Sequence, residues 1–430
     1  MQASINSVVK GQHDFAATSI VRLKRERIVA AVWVLTLFSN LPIYIATFVL
    51  PILQPLYWII ALCSLTLALR AQHKFFAQNF CLTFPVSLLV YASLCLTWYI
   101  AQGGGDTIVL RQRLLGIIVA IAAYATFTLD SAVLTAARRT MVWVVCCSVA
   151  INIYDITHPF ALVPATSEFA TLGRAAGLFI NPNQAGAALV LGFVLTIGVV
   201  PARFRVPYMF IAAAGVVLTL SRAAILGFAL VSVVLALRRE DLRPADLLKF
   251  ALAFAAATTA LWWAIAGELE QRFKIDPSLV LDRVLWIMDP SGHSDFSQDQ
   301  RIELVERGWA QFVTSPIFGN GLGSTELWDL PTSTHNLYVM LASDFGVIGL
   351  FILPAILISA MRAQWASSSG GVAAVFLMFW GFFSHNVLTE TYLLIGFSII
   401  AALSAQPKAV PYTRLDNTEL NKEQSNFEHN

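Results

Sequence analysis

Residues 333–362 read STHNLYVMLASDFGVIGLFILPAILISAMR, an apolar run that starts after a histidine and ends at an arginine. Between residues 337 and 361 the single charged side chain is that of Asp344. A helix that crosses a hydrocarbon core of roughly 30 Å needs about 20 predominantly apolar residues. The stretch therefore predicts a transmembrane helix, and similar runs recur along the whole chain.

The overall composition agrees with a chain made mostly of such helices. Hydrophobic residues make up 57% of the chain and charged residues 13%, whereas soluble domains have roughly 45–50% apolar and about 25% charged residues. We predict an all-α polytopic membrane protein with about twelve transmembrane helices. The predicted spans are residues 28–49, 52–69, 81–101, 113–129, 139–155, 183–200, 206–220, 223–237, 247–266, 337–361, 371–388 and 390–405.

The basic residues between these runs predict the orientation of the chain. If the N-terminus is cytoplasmic, alternating sides places the main basic clusters on the inner side, as the positive-inside rule requires. These clusters contain Arg70, Lys74, Arg138, Arg139, Arg203, Arg205, Arg238, Arg239, Arg243 and Arg362.

This orientation divides the chain into five parts. We expect a cytoplasmic N-terminal tail over residues 1–27, helices one to nine over 28–266, and a periplasmic loop domain over 267–336. Helices ten to twelve would follow over 337–405. The polar, aperiodic residues 406–430 predict a disordered cytoplasmic tail.

The long loop contains one helical pattern. Residues 301–315, RIELVERGWAQFVTS, carry apolar side chains at helical spacing, and Pro316 ends the run. The pattern predicts an amphipathic helix that lies on the bundle, with these apolar side chains near one face: Ile302, Val305, Trp309, Phe312 and Val313.

Several classes of function are disfavoured. A net charge of +2 with dispersed basic residues does not predict nucleic-acid binding. All five cysteines lie inside apolar segments, and no metal-ligand spacing occurs, so we expect neither a metal nor another cofactor. The glycines of GNGLG (319–323) follow no predicted strand, which argues against a dinucleotide site.

Cations on the outer side break the positive-inside pattern and need another reason to be there. Arg222, in TLSRAAILGF, is the sharpest case, because a charge at a helix centre costs about 2.5 to 3.5 kcal/mol. It either binds an anion or marks a helix end and extends to the interface. The outer cations are Arg111, Arg113, Arg174, Arg222, Arg272, Lys274, Arg283, Arg301 and Arg307.

Arg174 and Asn183 belong to one outer loop, GRAAGLFINPNQAGAALV. Gly173 and Gly177 flank Arg174 and would let the backbone approach a ligand closely, so Arg174 contacts either an anionic ligand or lipid headgroups. Asn183 is expected to cap the sixth helix, since asparagine is a preferred N-cap residue.

Arg301 opens the predicted amphipathic helix. The helix dipole disfavours a cation at that end, so the position predicts an external anionic partner. An ion pair with Asp299 is the alternative.

His335 is the histidine best placed for chemistry, because it precedes the tenth helix on the outer side. The imidazole of histidine ordinarily has a pKa of about 6.5, which suits it to accept a proton from a hydroxyl at neutral pH. Helix capping at the interface is the alternative. His385, beside Asn386 in the predicted eleventh helix, is more typical of a buried interhelical hydrogen bond.

Taken together, four segments resemble the O-antigen ligase and polymerase superfamily over residues 173–350. They are GRAAGLFINPN, the SR step of LSRAAILGF, the Arg301 helix running into SPIFGNGLG, and STHNLYVMLASDFGVIGL. The last contains HN followed by D/E-x-G-x-x-G, here His335, Asn336, Asp344, Gly346 and Gly349. The chain departs from the family at Gln300, where a small residue usually precedes the loop arginine.

The resemblance implies an inverting, metal-independent glycan transfer at the periplasmic face of the bacterial inner membrane, from undecaprenyl diphosphate to an acceptor hydroxyl. Arginine forks match phosphate oxygens, so Arg222, Arg301 and Arg174 would bind the diphosphate. His335 would act as general base. The supporting residues would be Asn336 and Asp344, which orient the base or cap its helix, and Asn183.

The family contains ligases, which join a glycan to lipid A-core, and polymerases, which join repeat units to each other. The compact length, the single dominant loop and the lack of a large C-terminal periplasmic domain favour a ligase. An O-antigen or exopolysaccharide polymerase is the alternative. A transporter of lipid-linked glycan would show cations lining a midplane cavity and two symmetric halves, and the sequence has neither.

The topology can be tested with reporter fusions. We expect both termini in the cytoplasm, so a phosphatase fused after Ala405 should be inactive and one fused near Ser291 should be active. The reverse result at either site would overturn the predicted orientation.

Overall fold

The computed structural model describes residues 20–72, 81–102, 107–167, 169, 173–239, 241–273, 296–328, 333–361 and 368–406. Within these ranges the chain is helical and contains no strand, which confirms the all-α class. The helices are α1 Ile20–Phe38, α2 Leu41–Val49, α3 Pro55–Ala71, α4 Thr83–Ala101, α5 Thr107–Phe127, α6 Ser131–Thr157, α7 Pro182–Thr196, α8 Ala202–Leu218, α9 Arg222–Arg238, α10 Pro244–Phe273, α11 Phe296–Thr314, α12 Leu337–Phe345, α13 Gly349–Met361, α14 Ser368–Trp380 and α15 Thr391–Ala405.

Each of the twelve predicted apolar runs falls on helical structure. By length and composition, five described segments could cross a membrane alone: α4, α5, α6, α7 with its extension to Val199, and α12 joined to α13. A sixth is the pair α1 and α2, which bends by 51°. These helices indicate a multi-pass membrane protein. Twelve crossings remain a prediction.

The bend between α1 and α2 has a local cause. Asn40 has a left-handed backbone conformation (φ 62°), and Pro42 follows in the first turn of α2. Proline lacks the N–H that would continue the helical hydrogen bonds. The Asn40 side chain donates from Nδ2 to the Leu178 carbonyl at 3.2 Å, which fixes the bend against the connection before α7.

The centre of the bundle is formed by α7 and α15, which are almost wholly buried. Small residues let their neighbours approach closely. A Cβ atom added at Gly186 would lie 2.5 Å from the Cβ atom of Ala224 on α9, and one added at Gly192 would lie 2.5 Å from Val145 on α6. Helix α7 is therefore packed tightly between α6 and α9.

Apolar side chains face outward on the peripheral helices, as a lipid surround requires. Among the most exposed are Val49, Ile52, Leu67, Ile100, Trp143 and Leu237.

The charged side chains gather at the two ends of the bundle. At one end, Arg70 of α3 donates from Nε to the Ala125 carbonyl at 2.9 Å, and Arg138 of α6 donates to the Leu195 carbonyl at 2.7 Å. The other end contains His335 and the starts of α7, α9 and α12. We call the end that contains His335 the His335 end, and the end that contains Arg70 and Arg138 the opposite end. The predicted inner basic clusters that the structure describes lie at the opposite end.

The amphipathic helix differs from its prediction in extent and in its buried face. Helix α11 begins at Phe296, so Arg301 lies in its second turn and does not open it. Leu304 and Phe312 are buried, whereas Ile302 and Trp309 are half exposed.

The buried face of α11 is set by a glycine contact. A Cβ atom at Gly308 would lie 2.5 Å from Thr334 and 2.8 Å from Val339 of α12. The close contact at Gly308 therefore places the face with Leu304 and Phe312 inward, and Ile302 and Trp309 are left half exposed.

The predicted eleventh helix, 371–388, is also shorter than expected. Helix α14 ends at Trp380, and His385 lies in the irregular segment that follows, before the short 3-10 turn Asn386–Leu388. The Gly381 carbonyl accepts a hydrogen bond from the Leu337 backbone N–H at 2.8 Å, which ties this segment to the start of α12.

The domain boundaries remain predictions. Helix α10 continues to Phe273, past the expected boundary at residue 266. Lys274 and Arg283 lie outside the described residues, as do most of the two predicted tails and residues 274–295 of the loop domain.

Candidate functional site

Three helices begin in the same way at the His335 end. Helices α7, α9 and α12 each follow a residue with positive φ and then a polar N-cap residue. The pairs are Ile180 (φ 68°) with Asn181, Leu220 (φ 47°) with Ser221, and His335 (φ 53°) with Asn336. Positive φ is strained for side chains other than glycine, and such strain is concentrated at functional sites.

The caps settle two of the sequence-based expectations. Asn336 accepts from the Val339 N–H at 3.2 Å, so Asn336 caps α12 as predicted and the capping role does not fall to His335. The prediction that Asn183 caps its helix is wrong, because Asn181 accepts from the Asn183 N–H at 2.8 Å. The reason is Pro182, which is favoured at the first helical position and sets the start of α7.

Arg174 connects two of these helix starts. Its Nε donates to the Thr219 carbonyl at 3.2 Å, and its terminal nitrogen donates to Asn183 Oδ1 at 3.1 Å. The neighbouring Ala175 N–H donates to the Leu218 carbonyl at 3.0 Å. Arg174 and Asn183 are therefore brought together, and Arg174 is held between α7 and the connection from α8 to α9.

Asp155 of α6, which the sequence analysis did not single out, holds the loop that carries Arg174. Its Oδ2 accepts from the backbone N–H groups of Ala176 and Gly177 at 2.9 and 3.0 Å. Gly177 has φ 54°, and a Cβ atom there would lie 2.7 Å from Asn152 Oδ1, so a larger residue would push the loop off α6.

Arg222 is the first residue of α9 and is half-buried. It thus lies at a helix end and not at a helix centre. Ser221 caps the helix through the Ala224 N–H at 3.4 Å. Since Gly186 of α7 packs on Ala224, the start of α9 and the Arg174 loop form one corner of the His335 end.

His335 lies beside a second histidine. The rings of His335 and His385 meet edge to face with centroids 5.4 Å apart. Burial, together with the positive charge of Arg301, lowers the pKa of His335 to about 4. Arg301 and His335 are thus close enough to interact, and the His335 ring is neutral at pH 7.

Hydrogen bonds link His335 and His385 to the corner formed by the start of α9 and the Arg174 loop. Gln184, in the first turn of α7, donates to Glu390 Oε1 at 2.6 Å, and Asn386 also hydrogen-bonds Glu390. Asn386 directly follows His385. Gln184 and Glu390 were missed by sequence reasoning, because neither occurs in a recognisable motif.

A buried ionic cluster supports this end. Arg113 of α5 is 1% exposed and donates to the Tyr91 hydroxyl and to Glu326, both at 2.9 Å. Its terminal nitrogen is also 3.8 Å from Asp344 Oδ2. Asp344 Oδ1 accepts from the backbone and side chain of Ser324, each at 2.9 Å. Asp344 therefore anchors the loop after α11, while Asn336 caps α12.

The glycines of GNGLG have a structural explanation. The Asn320 N–H donates to the Ser343 carbonyl at 2.7 Å, and the Val347 N–H donates to the Pro316 carbonyl at 2.8 Å. Gly319 (φ 75°) and Gly346 (φ 69°) lie where these two backbones touch, and a Cβ atom on either would overlap the other segment of chain. The glycines allow the loop to pack on the junction between α12 and α13.

Metal binding has no evident site in the part of the chain that the structure describes. No group of three or more His, Cys, Asp or Glu side chains there could hold a metal ion. Metal independence remains a prediction.

The comparison with known families agrees with the motifs. Residues 207–354 match a protein-family model described as O-antigen ligase. The matched segment contains Arg222, Arg301, His335, Asn336 and Asp344, and it covers less than half of the chain. No curated protein matches the chain. The resemblance to the O-antigen ligase superfamily is thereby confirmed, and a function of the ligase or polymerase type is supported in general terms.

The ionic cluster predicts a large effect of one substitution. Arg113→Leu would leave Asp344 buried without its cation, which typically costs about 3–5 kcal/mol. We expect a marked fall in the thermal unfolding midpoint of the purified protein or in its accumulation in membranes. Arg111→Leu removes the same charge from an exposed position two residues earlier and should change neither. Equal behaviour of the two variants would contradict a structural role of the cluster.

Proposed function

We propose that this chain is a glycosyltransferase that moves a glycan from undecaprenyl diphosphate to an acceptor hydroxyl at the periplasmic face of the bacterial inner membrane. Its acceptor would be lipid A-core oligosaccharide, which makes it an O-antigen ligase. The observation that carries the proposal is a neutral histidine beside Arg301, within the segment that matches the O-antigen ligase family. The family description supports a function of the ligase or polymerase type in general and does not separate the two.

The arginines supply the charge that the leaving group requires. When the glycosidic bond breaks, its electron pair stays on the diphosphate, so positive charge near that group stabilises the transition state. Arg222 lies at the positive end of the α9 dipole, which adds to its attraction for an anion. Thr219 and Asn183 hold Arg174 in a fixed orientation. Arg301 lies close enough to His335 to lower the pKa of the imidazole.

His335 has the protonation state that a general base needs. In the proposed reaction it accepts the proton of the acceptor hydroxyl while the hydroxyl oxygen attacks the anomeric carbon opposite the diphosphate. The anomeric configuration is inverted as a result. An anionic diphosphate bound near His335 would raise the pKa of the imidazole, since an opposite charge favours the protonated form.

The proposed function predicts a specific glycan phenotype. A strain that lacks this protein should accumulate carrier-linked polymer, while its lipid A-core remains bare on a surface-glycan gel. The wild-type gene should restore the polymer to the core. Core that bears a single repeat unit would indicate a polymerase and would overturn the ligase assignment.

Substitutions of Arg222 and His335 should impair different steps of the proposed reaction. Arg222→Lys keeps the charge but loses the planar fork, so donor binding should weaken and transfer should slow. His335→Ala should bind donor normally but lose about 10²- to 10⁴-fold in rate, the usual contribution of a general base. Binding and turnover are measured separately on purified protein.

Arg307→Lys is the matched control, because Arg307 is an exposed arginine of α11 paired with Glu303.

The wild-type kcat/KM should not fall through protonation of His335 between pH 7 and 5, because a histidine with a lowered pKa stays neutral there. If folded His335→Ala protein transfers glycan at the wild-type rate, His335 is not the base.

A further inference from the structure

A second charged site lies at the opposite end, far along the helices from His335. Between α1 and the first turns of α6 is an open groove of about 600 Å³ that is lined by Arg27, Arg139, Thr140 and Trp143, among others. We call it the Arg27–Arg139 groove. Nothing in the proposed reaction uses it.

The two arginines of this groove differ from three half-buried arginines at the same end. Arg70 and Arg138 donate to backbone carbonyls, and Arg205 donates to the Asp241 carbonyl at 2.6 Å. Arg27 and Arg139 are both exposed, and within the described part of the chain neither has a hydrogen bond or an ion pair. Their charge is therefore available to an external anion.

The nearest carboxylates along the chain are already engaged. Asp130 caps α6 by accepting from the Ala132 N–H at 2.7 Å. Glu26 is paired with Arg22 at 3.6 Å. Among the described residues no carboxylate lines the groove, so none of them neutralises its two cations from within.

The groove residues of α6 are ordered along the helix. Ser131, Thr135, Arg139 and Trp143 recur every four residues, so they lie on one face at intervals of about 6 Å. Hydroxyl groups come first, then the cation, and then an indole that is 70% exposed. Because the predicted membrane span begins at residue 139, the order runs from water to the headgroup level and then into the bilayer.

We propose that the Arg27–Arg139 groove binds the phosphate headgroup of an anionic glycerophospholipid. Arg27 and Arg139 contact the phosphate, and Trp143 packs against the start of the acyl chain; the hydroxyls of Thr135 and Thr140 are already donated to the carbonyls of Ser131 and Ala136. Basic pockets between transmembrane helices on the cytoplasmic side have this chemistry. A free anion would make no use of Trp143, and a zwitterionic lipid would bring its ammonium group towards two unpaired arginines.

Lipid titrations of the purified full-length protein, followed by native mass spectrometry, test the proposal. Phosphatidylglycerol should bind more tightly than phosphatidylethanolamine. In Arg27→Gln/Arg139→Gln the affinity for phosphatidylglycerol should fall about 25-fold, because each arginine near an anionic lipid contributes about fivefold. Arg27→Lys/Arg139→Lys keeps both charges and should lose less.

The control variant is Arg203→Gln/Arg243→Gln, which removes two exposed charges from the same end but outside the groove. It should bind phosphatidylglycerol within about twofold of wild type. Equal losses in both double variants would mean general surface attraction, and wild-type affinity in the groove variant would mean no site; either result overturns the proposal.

The source of the phosphate is tested separately. Trp143→Ala should weaken lipid binding, and millimolar inorganic phosphate should not displace the lipid. If phosphate does displace it, or if Trp143→Ala has no effect, the groove binds a free anion and the lipid assignment is wrong. Unchanged unfolding midpoints of the variants exclude misfolding as the cause of any loss.

Discussion

The cost of an unpaired charge in hydrocarbon constrains where arginines can lie in the described helices of this protein. A helix of apolar residues can cross the bilayer because its backbone groups satisfy one another, but a cation within it must be paired or reach an end. Arg113 follows the first route, between Tyr91, Glu326 and Asp344. Arg222 follows the second, as the first residue of its helix. The charged side chains of the described helices therefore gather at the two ends of the bundle.

The same constraint makes helix starts the natural location of the candidate site. The first turn of a helix has N–H groups without helical partners, and at α7, α9 and α12 a polar side chain satisfies part of them. Each of these caps follows a strained residue, so the chain turns sharply and presents the next side chains to the end of the bundle. Arg222 and Asn183 follow two of these turns, and His335 is itself the strained residue of the third.

The fold class could be predicted, and candidate residues could be selected, because apolar runs and unusual cations are visible in the sequence alone. The positions of helix ends and the faces that helices bury are harder to predict from the sequence. Phe382 and Phe383 continue the apolar run past the real end of α14, so hydropathy could not place His385 outside the helix. On α11 the face with Gly308 packs against Thr334, so Phe312 is buried while Ile302 and Trp309 of the predicted apolar face stay half exposed. The pairing of Arg113 with Glu326 joins residues far apart in sequence, which spacing arguments cannot detect.

The electrostatics of the His335 end bear on the order of events in the proposed reaction. Burial and, to a smaller extent, the charge of Arg301 lower the pKa of His335, so without donor the imidazole is neutral but a weak base. A diphosphate that neutralises Arg301 would remove the smaller of these two effects, and the imidazole would then hold a proton more readily. In the proposed reaction the arrival of the donor would therefore strengthen the base, and an acceptor hydroxyl that arrived first would meet a histidine poorly suited to deprotonate it. In the proposed reaction, cations that hold the leaving group and a histidine beside one of them would thus couple activation of the acceptor to occupancy by the donor.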